Sequence, residues 1–259
     1  MGSSGLTDLL DTFLDTIRSA QVPSGPARRR GGDSLVGEVL ARVPAAIEFV
    51  RAQFVGGNLG AIDAANYVAE SAMELTSVLF VGGAPHPTWR RWAGLAAVGS
   101  WHAGAIQQAA QYAALGNEWA LIRALPELPA LRGALEDLVL WRVLGGVPQP
   151  ALPATATGPL DHAWLSLATS IPAGDHATTA SALDDIAEAW MLETDDDWED
   201  AHRGAYPDYF LPGCVAAAAA RHRGLPHALV RGDTYRFLEA GLADGAPDAL
   251  YPDTCPRPG

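Results

Sequence analysis

Residues 6–17 read LTDLLDTFLDTI, and their leucine, phenylalanine and isoleucine side chains recur every three or four positions. This spacing predicts an amphipathic helix with a single apolar face. The same helical period continues through most of the chain, whereas no segment alternates apolar and polar residues over a useful length. The sequence therefore predicts an all-α fold of stacked helical hairpins, built as one large domain or as two closely packed helical subdomains.

Glycine and proline divide the remaining helical patterns. Pro44 is expected to kink or divide the pattern over residues 35–54, and the Pro-, Gly- and Arg-rich residues 21–33 predict a mobile connection. The pattern over residues 88–115 is uninterrupted as far as Gly116. The other predicted helices span residues 58–80, 118–125, 128–144, 161–170, 178–192, 208–223 and 233–242.

A change in composition predicts the domain organisation. Residues 147–160 contain four prolines and two threonines, which is typical of an exposed and mobile linker. We therefore expect an N-terminal helical subdomain over residues 1–146 and an acidic helical subdomain over residues 161–245. Residues 246–259 are expected to form a Pro-rich tail.

Negative charge is concentrated in the C-terminal part of the chain. Residues 161–259 contain 17 acidic residues and six arginines, a balance of −11. Residues 1–160 contain 13 acidic residues and 11 arginines, a balance of −2. An acidic field of this strength repels phosphate backbones, so the charge argues against nucleic-acid binding. A basic protein partner is its natural complement.

The acidic candidates for a binding surface lie within one predicted helix and the loop expected after it. The four-residue spacing of Asp184 and Glu188 resembles the aspartate-rich, Mg²⁺-binding motif of class I terpene synthases. The second metal-binding motif that such enzymes need is not found in the sequence. We therefore expect exposed carboxylates that contact a partner, with no metal ion and no cofactor. The residues concerned are Asp184, Asp185, Glu188, Asp195, Asp196, Asp197 and Asp200.

A second polar group lies in the helix predicted over residues 58–80. Asn66, Glu70 and Glu74 occur at four-residue steps among apolar and small residues. If this stripe faced a cavity, its carboxylates near His102 or Arg90 would be candidates for general acid and base catalysis of a small-molecule reaction. The alternative is that the stripe is the solvent edge of a mostly buried helix, because charged side chains are rarely buried without a partner.

Histidine and tryptophan residues show no spacing that specifies a metal or cofactor site. The seven histidines are interpreted as surface or core residues, and the eight tryptophans as anchors of helix packing, with the lining of a ligand cavity as the alternative. The histidines are His86, His102, His162, His176, His202, His222 and His227. The tryptophans are Trp89, Trp92, Trp101, Trp119, Trp141, Trp164, Trp190 and Trp198.

The sequence predicts a soluble protein of the cytoplasm. Residues 1–17 form an amphipathic pattern with three aspartates and carry no export signal. The longest apolar run, Val215 to Ala220, is far too short to cross a membrane. Cys214 and Cys255 form neither a disulfide framework nor a metal-ligand spacing, which fits a reducing compartment.

Residues 182–237 carry a resemblance to a known family. They read ALDDIAEAWMLETDDDWEDAHRGAYPDYFLPGCVAAAAARHRGLPHALVRGDTYRF. An acidic helix, an acidic segment, an Ala-rich helix, an Arg- and Gly-containing turn and a Tyr-led final helix follow one another in this order. The order resembles the C-terminal part of all-α immunity proteins of bacterial polymorphic toxin systems.

The resemblance implies a small cytoplasmic protein that binds and neutralises a cognate toxin, often a nuclease. An acidic face on such a protein occupies the basic cleft that would otherwise hold nucleic acid. The alternative is a small-molecule biosynthetic enzyme of bacterial secondary metabolism. Its site would be the stripe of Asn66, Glu70 and Glu74, with the carboxylates of the two glutamates as the reactive groups and His102 nearby.

Overall fold

A computed structural model describes residues 3–19, 32–81, 89–128, 131, 133–201 and 211–243. These residues form helices without any strand, so the predicted all-α class is confirmed. The predicted connection over residues 21–33 and the Pro-rich tail lie almost entirely outside the described residues. The helices are α1 (Ser3–Ser19), α2 (Gly32–Val55), α3 (Ala61–Val81), α4 (Trp89–His102), α5 (Ile106–Leu115), α6 (Trp119–Ala124), α7 (Leu135–Val143), α8 (Pro159–Ala173), α9 (His176–Ala201), α10 (Leu211–His222) and α11 (Gly232–Leu242), with a 3-10 turn at His227–Leu229.

The chain divides into two compact units, and the division falls between Glu118 and Trp119. Helices α1–α5 therefore belong to the first unit and α6–α11 to the second. This boundary lies before the linker that is expected over residues 147–160. Helix α7 packs against α8 and α10, and Arg223 just after α10 donates a hydrogen bond to the carbonyl oxygen of Val143 in α7 at 2.9 Å. These contacts place α7 with the acidic helices.

The first unit is built around the apolar face of α1. All six of its predicted apolar side chains are buried, and Phe13 meets Trp92 of α4 edge to face, with ring centroids 5.3 Å apart. Full burial of a large apolar side chain contributes about 1.5–3 kcal/mol. Helix α2 is continuous past Pro44, so the proline does not divide it. The buried α1 residues are Leu6, Leu9, Leu10, Phe13, Leu14 and Ile17.

Helices α3 and α4 approach each other closely at Gly99. A Cβ atom there would lie 2.9 Å from the carbonyl oxygen of Ala65 in α3. The predicted single pattern over residues 88–115 forms two helices, because Gly104 has a φ of +82°. Glycine adopts this left-handed conformation at little cost, and it commonly ends a helix.

The second unit pairs α8 with α9 and α10 with α11. Phe237 of α11 contacts Trp190 of α9 edge to face at 5.2 Å. The start of the expected linker is anchored here, because Trp141 Nε1 donates a hydrogen bond of 3.1 Å to the carbonyl oxygen of Pro148 and Pro150 is buried. Residues 153–157 are exposed.

Helix α9 is longer than predicted. It was expected to end at Leu192 and to give way to an acidic loop, but its backbone stays helical to Ala201. Neither glycine nor proline occurs between His176 and Ala201, so no breaker ends the helix at Leu192. Asp195, Asp196, Asp197 and Asp200 therefore lie in a helix and not in a loop.

Candidate functional site

The candidate site is the acidic helix α9, which begins at a well-formed cap. Asp175 precedes the helix, and its carboxylate accepts hydrogen bonds from the backbone N–H and the hydroxyl of Thr178 at 3.1 and 2.6 Å. Such a cap satisfies a backbone donor that has no acceptor within the helix. The hydrogen bonds from Thr178 lower the pKa of the Asp175 carboxyl.

Asp184 was predicted to be exposed, and the structure corrects this. The residue is buried, with 8% of its surface exposed. One of its oxygens accepts hydrogen bonds from the Thr234 hydroxyl and from the backbone N–H of Arg231, the latter at 3.1 Å. Because Thr234 lies in the first turn of α11, Asp184 serves as an acceptor at the start of that helix. The hydrogen bonds of Asp184 thus form a contact between α9 and α11 within the second unit.

Glu188 is also engaged within the unit. It forms an ion pair with the guanidinium of Arg231, which lies 3.6 Å from Asp184 and 3.9 Å from Asp233. The hydrogen bond to Glu188 is the main cause of the raised pKa of Arg231, and the nearby carboxylates add to it. Asp184 and Glu188 are thus neutralised by an arginine of the same chain and contribute little to a surface for a partner.

Asp185 differs from its neighbour Asp184 in exposure. It is exposed and borders an open cleft of about 330 Å³ that Asp184, Leu229 and Arg231 also line. Leu192, two helical turns further along, is exposed at 74%. Asp185 and Leu192 therefore mark an outer face of α9.

The acidic C-terminal third of α9 continues in the register of this face. Positions 196 and 199 follow Asp185 by 11 and 14 residues, and such intervals bring helix positions back to the same side. The structure describes the backbone of residues 193–200 as helical, and the side chains of Asp195, Asp196, Asp197 and Asp200 lie outside the described part. The helical backbone of α9 continues for more than two turns beyond Leu192.

The polar stripe of α3 does not form an enclosed site in the described residues. Asn66 and Glu70 are exposed, and Glu74 pairs with Arg42 of α2. His102 at the end of α4 is half-buried, and burial lowers its pKa. The buried Arg90 donates a hydrogen bond of 3.0 Å to the carbonyl oxygen of Leu115. The stripe thus lies at the solvent edge of α3.

Comparison with known proteins gives no relative from which a site can be transferred. No protein-family model, no characterised protein and no solved structure matches the chain. Within the described ranges, no cluster of three or more His, Cys, Asp or Glu side chains has a geometry that can hold a metal ion. None of the described helices combines the length and apolar character that crossing a membrane requires.

Proposed function

We propose that the chain is an immunity-like protein that binds a basic protein partner, such as a toxin, through the outer face of α9. The observation that carries this proposal is the contrast between Asp184 and Asp185. Asp184 is buried against α11, whereas Asp185 is exposed on the same side of α9 as the exposed Leu192, two helical turns away. The outer face thus combines an exposed carboxylate with an exposed large apolar side chain.

The charge on this face favours a basic partner. Residues 193–201 contain six acidic residues and no arginine, whereas Asp184 and Glu188 share Arg231. Complementary charge steers two proteins into the right encounter and raises the association rate. Charged pairs at the rim of an interface stay hydrated and contribute little to affinity. An exposed apolar residue such as Leu192 can lose its water on binding and contribute more.

The resemblance to all-α immunity proteins supports the class of partner. It implies a bacterial, cytoplasmic protein whose partner is a toxin, often a nuclease with a basic cleft. An acidic helix that continues without interruption from His176 to Ala201 has a length of about 39 Å at 1.5 Å per residue. The outer face of a helix of that length can lie along an elongated basic groove.

The catalytic alternative has no comparable support. Its proposed carboxylates are Glu70, which is exposed, and Glu74, which is paired with Arg42. General acid and base catalysis requires groups held near a bound substrate and shielded from water. We therefore retain only the binding function.

The test is co-expression of the full chain with the basic products of adjacent genes. A partner should elute with the chain as one complex in size-exclusion chromatography, and co-expression should protect cells from a toxic partner. The double variant Asp185→Arg with Asp196→Arg should lose both effects. Asp8→Arg, which changes an exposed acid of α1, is the matched control and should retain them. Equal loss in both variants, or a complex with the double variant, would overturn the proposal.

A further inference from the structure

A cleft in the second unit combines basic and aromatic side chains. It has a volume of about 230 Å³. Trp119 and Arg123 border it from α6, and His222 and Arg223 border it from the end of α10. The apolar side chains beneath them are buried. The accessible surface of the cleft is therefore mostly that of the four larger groups.

Two of these groups are held in place by contacts within the unit. The His222 imidazole stacks on the Trp119 indole, with ring centroids 3.9 Å apart and planes 15° apart. Arg223 Nη1 donates a hydrogen bond of 2.9 Å to the carbonyl oxygen of Val143. A guanidinium has five N–H donors, so this bond leaves most of the Arg223 donors for another acceptor. The cleft is thus preorganised on two sides.

None of the described residues that line the cleft carries a carboxylate that could balance its positive charge. Arg123 makes no hydrogen bond or ion pair with any residue of the described ranges. The pKa of His222 is lowered, first by burial and then by the positive charges of Arg223 and Arg123. Burial also lowers the pKa of Arg223. Like charges gathered in a partly desolvated place are unfavourable unless an anion lies between them.

We propose that this cleft binds a small oxyanion, a carboxylate or phosphate group, between the guanidinium groups of Arg123 and Arg223. The planar forks of arginine match the oxygens of both groups. The volume is below the range of about 300–1,000 Å³ that drug-sized ligands occupy, which favours a small anion. The neutral imidazole of His222 adds an N–H donor. This site is separate from the outer face of α9 and does not depend on the proposed toxin binding.

The proposal can be tested by NMR titration of the full chain at constant ionic strength and constant pH. Inorganic phosphate and acetate are added in separate titrations, with sodium chloride as the reference salt. The indole N–H signal of Trp119 and the imidazole signals of His222 report on the cleft. A saturable shift with phosphate or acetate is expected, and the stronger of the two identifies the class of anion. A shift that grows linearly with all three salts would overturn the proposal.

Two variants separate binding from structural damage. Arg123→Gln changes an exposed side chain without a described partner and should weaken anion binding by roughly tenfold, since each charge-assisted hydrogen bond is worth about that factor. Arg236→Gln, an exposed arginine of α11 in the same unit, is the matched control and should bind as the unmodified chain does. Unchanged binding by Arg123→Gln, with circular dichroism showing an intact fold, would also overturn the proposal.

Discussion

The carboxylate of Asp184 in α9 accepts a hydrogen bond of 3.1 Å from the backbone N–H of Arg231, the residue that immediately precedes α11. The first N–H groups of a helix have no acceptor within the helix. A carboxylate at this end satisfies one of them and interacts favourably with the helix dipole. Asp184 therefore connects two helices that are distant in the sequence.

Replacing Asp184 should destabilise the second unit. We expect Asp184→Ala to lower the free energy of unfolding by about 1–3 kcal/mol, because the Arg231 N–H and the Thr234 hydroxyl lose a buried acceptor. Asp184→Asn should cost less, since its amide oxygen still accepts a hydrogen bond. Urea unfolding followed by tryptophan fluorescence measures both changes.

Asp185→Ala is the control for this prediction. The side chain is exposed, so its removal should change the free energy of unfolding by no more than about 0.5 kcal/mol. Equal destabilisation by the two neighbouring alanine variants would mean that the hydrogen bonds of Asp184 do not support the start of α11.

Close packing of α10 and α11 leads to a second prediction. A Cβ atom at Gly241 would lie 2.0 Å from the backbone carbonyl oxygen of Cys214, and a backbone atom cannot yield as a flexible side chain does. Gly241→Ala should therefore cost about 1–3 kcal/mol or more and lower the Tm in circular dichroism. Gly232→Ala lies in the same helix, where no atom is within 4 Å of the added Cβ. It should be neutral or slightly stabilising because alanine favours helices, and a similar loss in both variants would contradict the packing argument.

The sequence predicted helices well because their signal is local. The apolar period of Leu6–Ile17 identifies both α1 and its buried face. Helix ends were predicted less well. Gly104 lies within a region rich in glycine, and only its left-handed φ of +82° distinguishes it as the end of α4. No glycine or proline interrupts the sequence of α9 before Ala201, and this absence indicates a continuous helix. The dense aspartates favoured a loop in the prediction instead.

The site was less predictable because it depends on contacts between distant residues. Asp184 and Asp185 are adjacent and chemically identical in the sequence, and only the packing of α11 buries one of them. The stacked pair of Trp119 and His222 joins residues that are about a hundred positions apart. Spacing along the chain carries no information on such pairs, so His222 was predicted to be an ordinary surface or core histidine.

Stability should fall on acidification because of His102. Burial lowers its pKa in the folded chain, whereas the unfolded chain has a value of about 6.5. Between these two values the unfolded state binds more protons, so the free energy of unfolding falls as the pH drops below about 6.5. Urea unfolding at several pH values between 7.5 and 5.5 measures the slope.

The variant His102→Gln should reduce this slope, with the lowered pKa of His222 as the remaining contribution in the same range. NMR titration of the His102 imidazole in the folded chain gives its pKa directly. A value at or above 6.5, or a slope that the variant leaves unchanged, would contradict the prediction.

The last prediction concerns the salt dependence of partner binding. If the acidic part of α9 is the binding face, the association rate should fall as salt rises, because exposed charges separated by more than about 10 Å are largely screened at 0.1 M ionic strength. Reversing Asp195, Asp196 and Asp197 to Arg should slow association and remove most of this salt dependence. Surface plasmon resonance with the co-purified basic partner measures the association and dissociation rates separately.

The three-residue stripe of α3 supplies the contrast for that experiment. A variant with Asn66→Ala, Glu70→Gln and Glu74→Gln should bind the partner at an unchanged rate. These residues lie in the first unit and not on the outer face of α9. Loss of the Arg42–Glu74 ion pair should cost no more than about 1 kcal/mol of stability. If the stripe variant no longer protected cells while the α9 reversal still did, the function would reside in the carboxylates of α3. The binding proposal would then have to be replaced by the catalytic one.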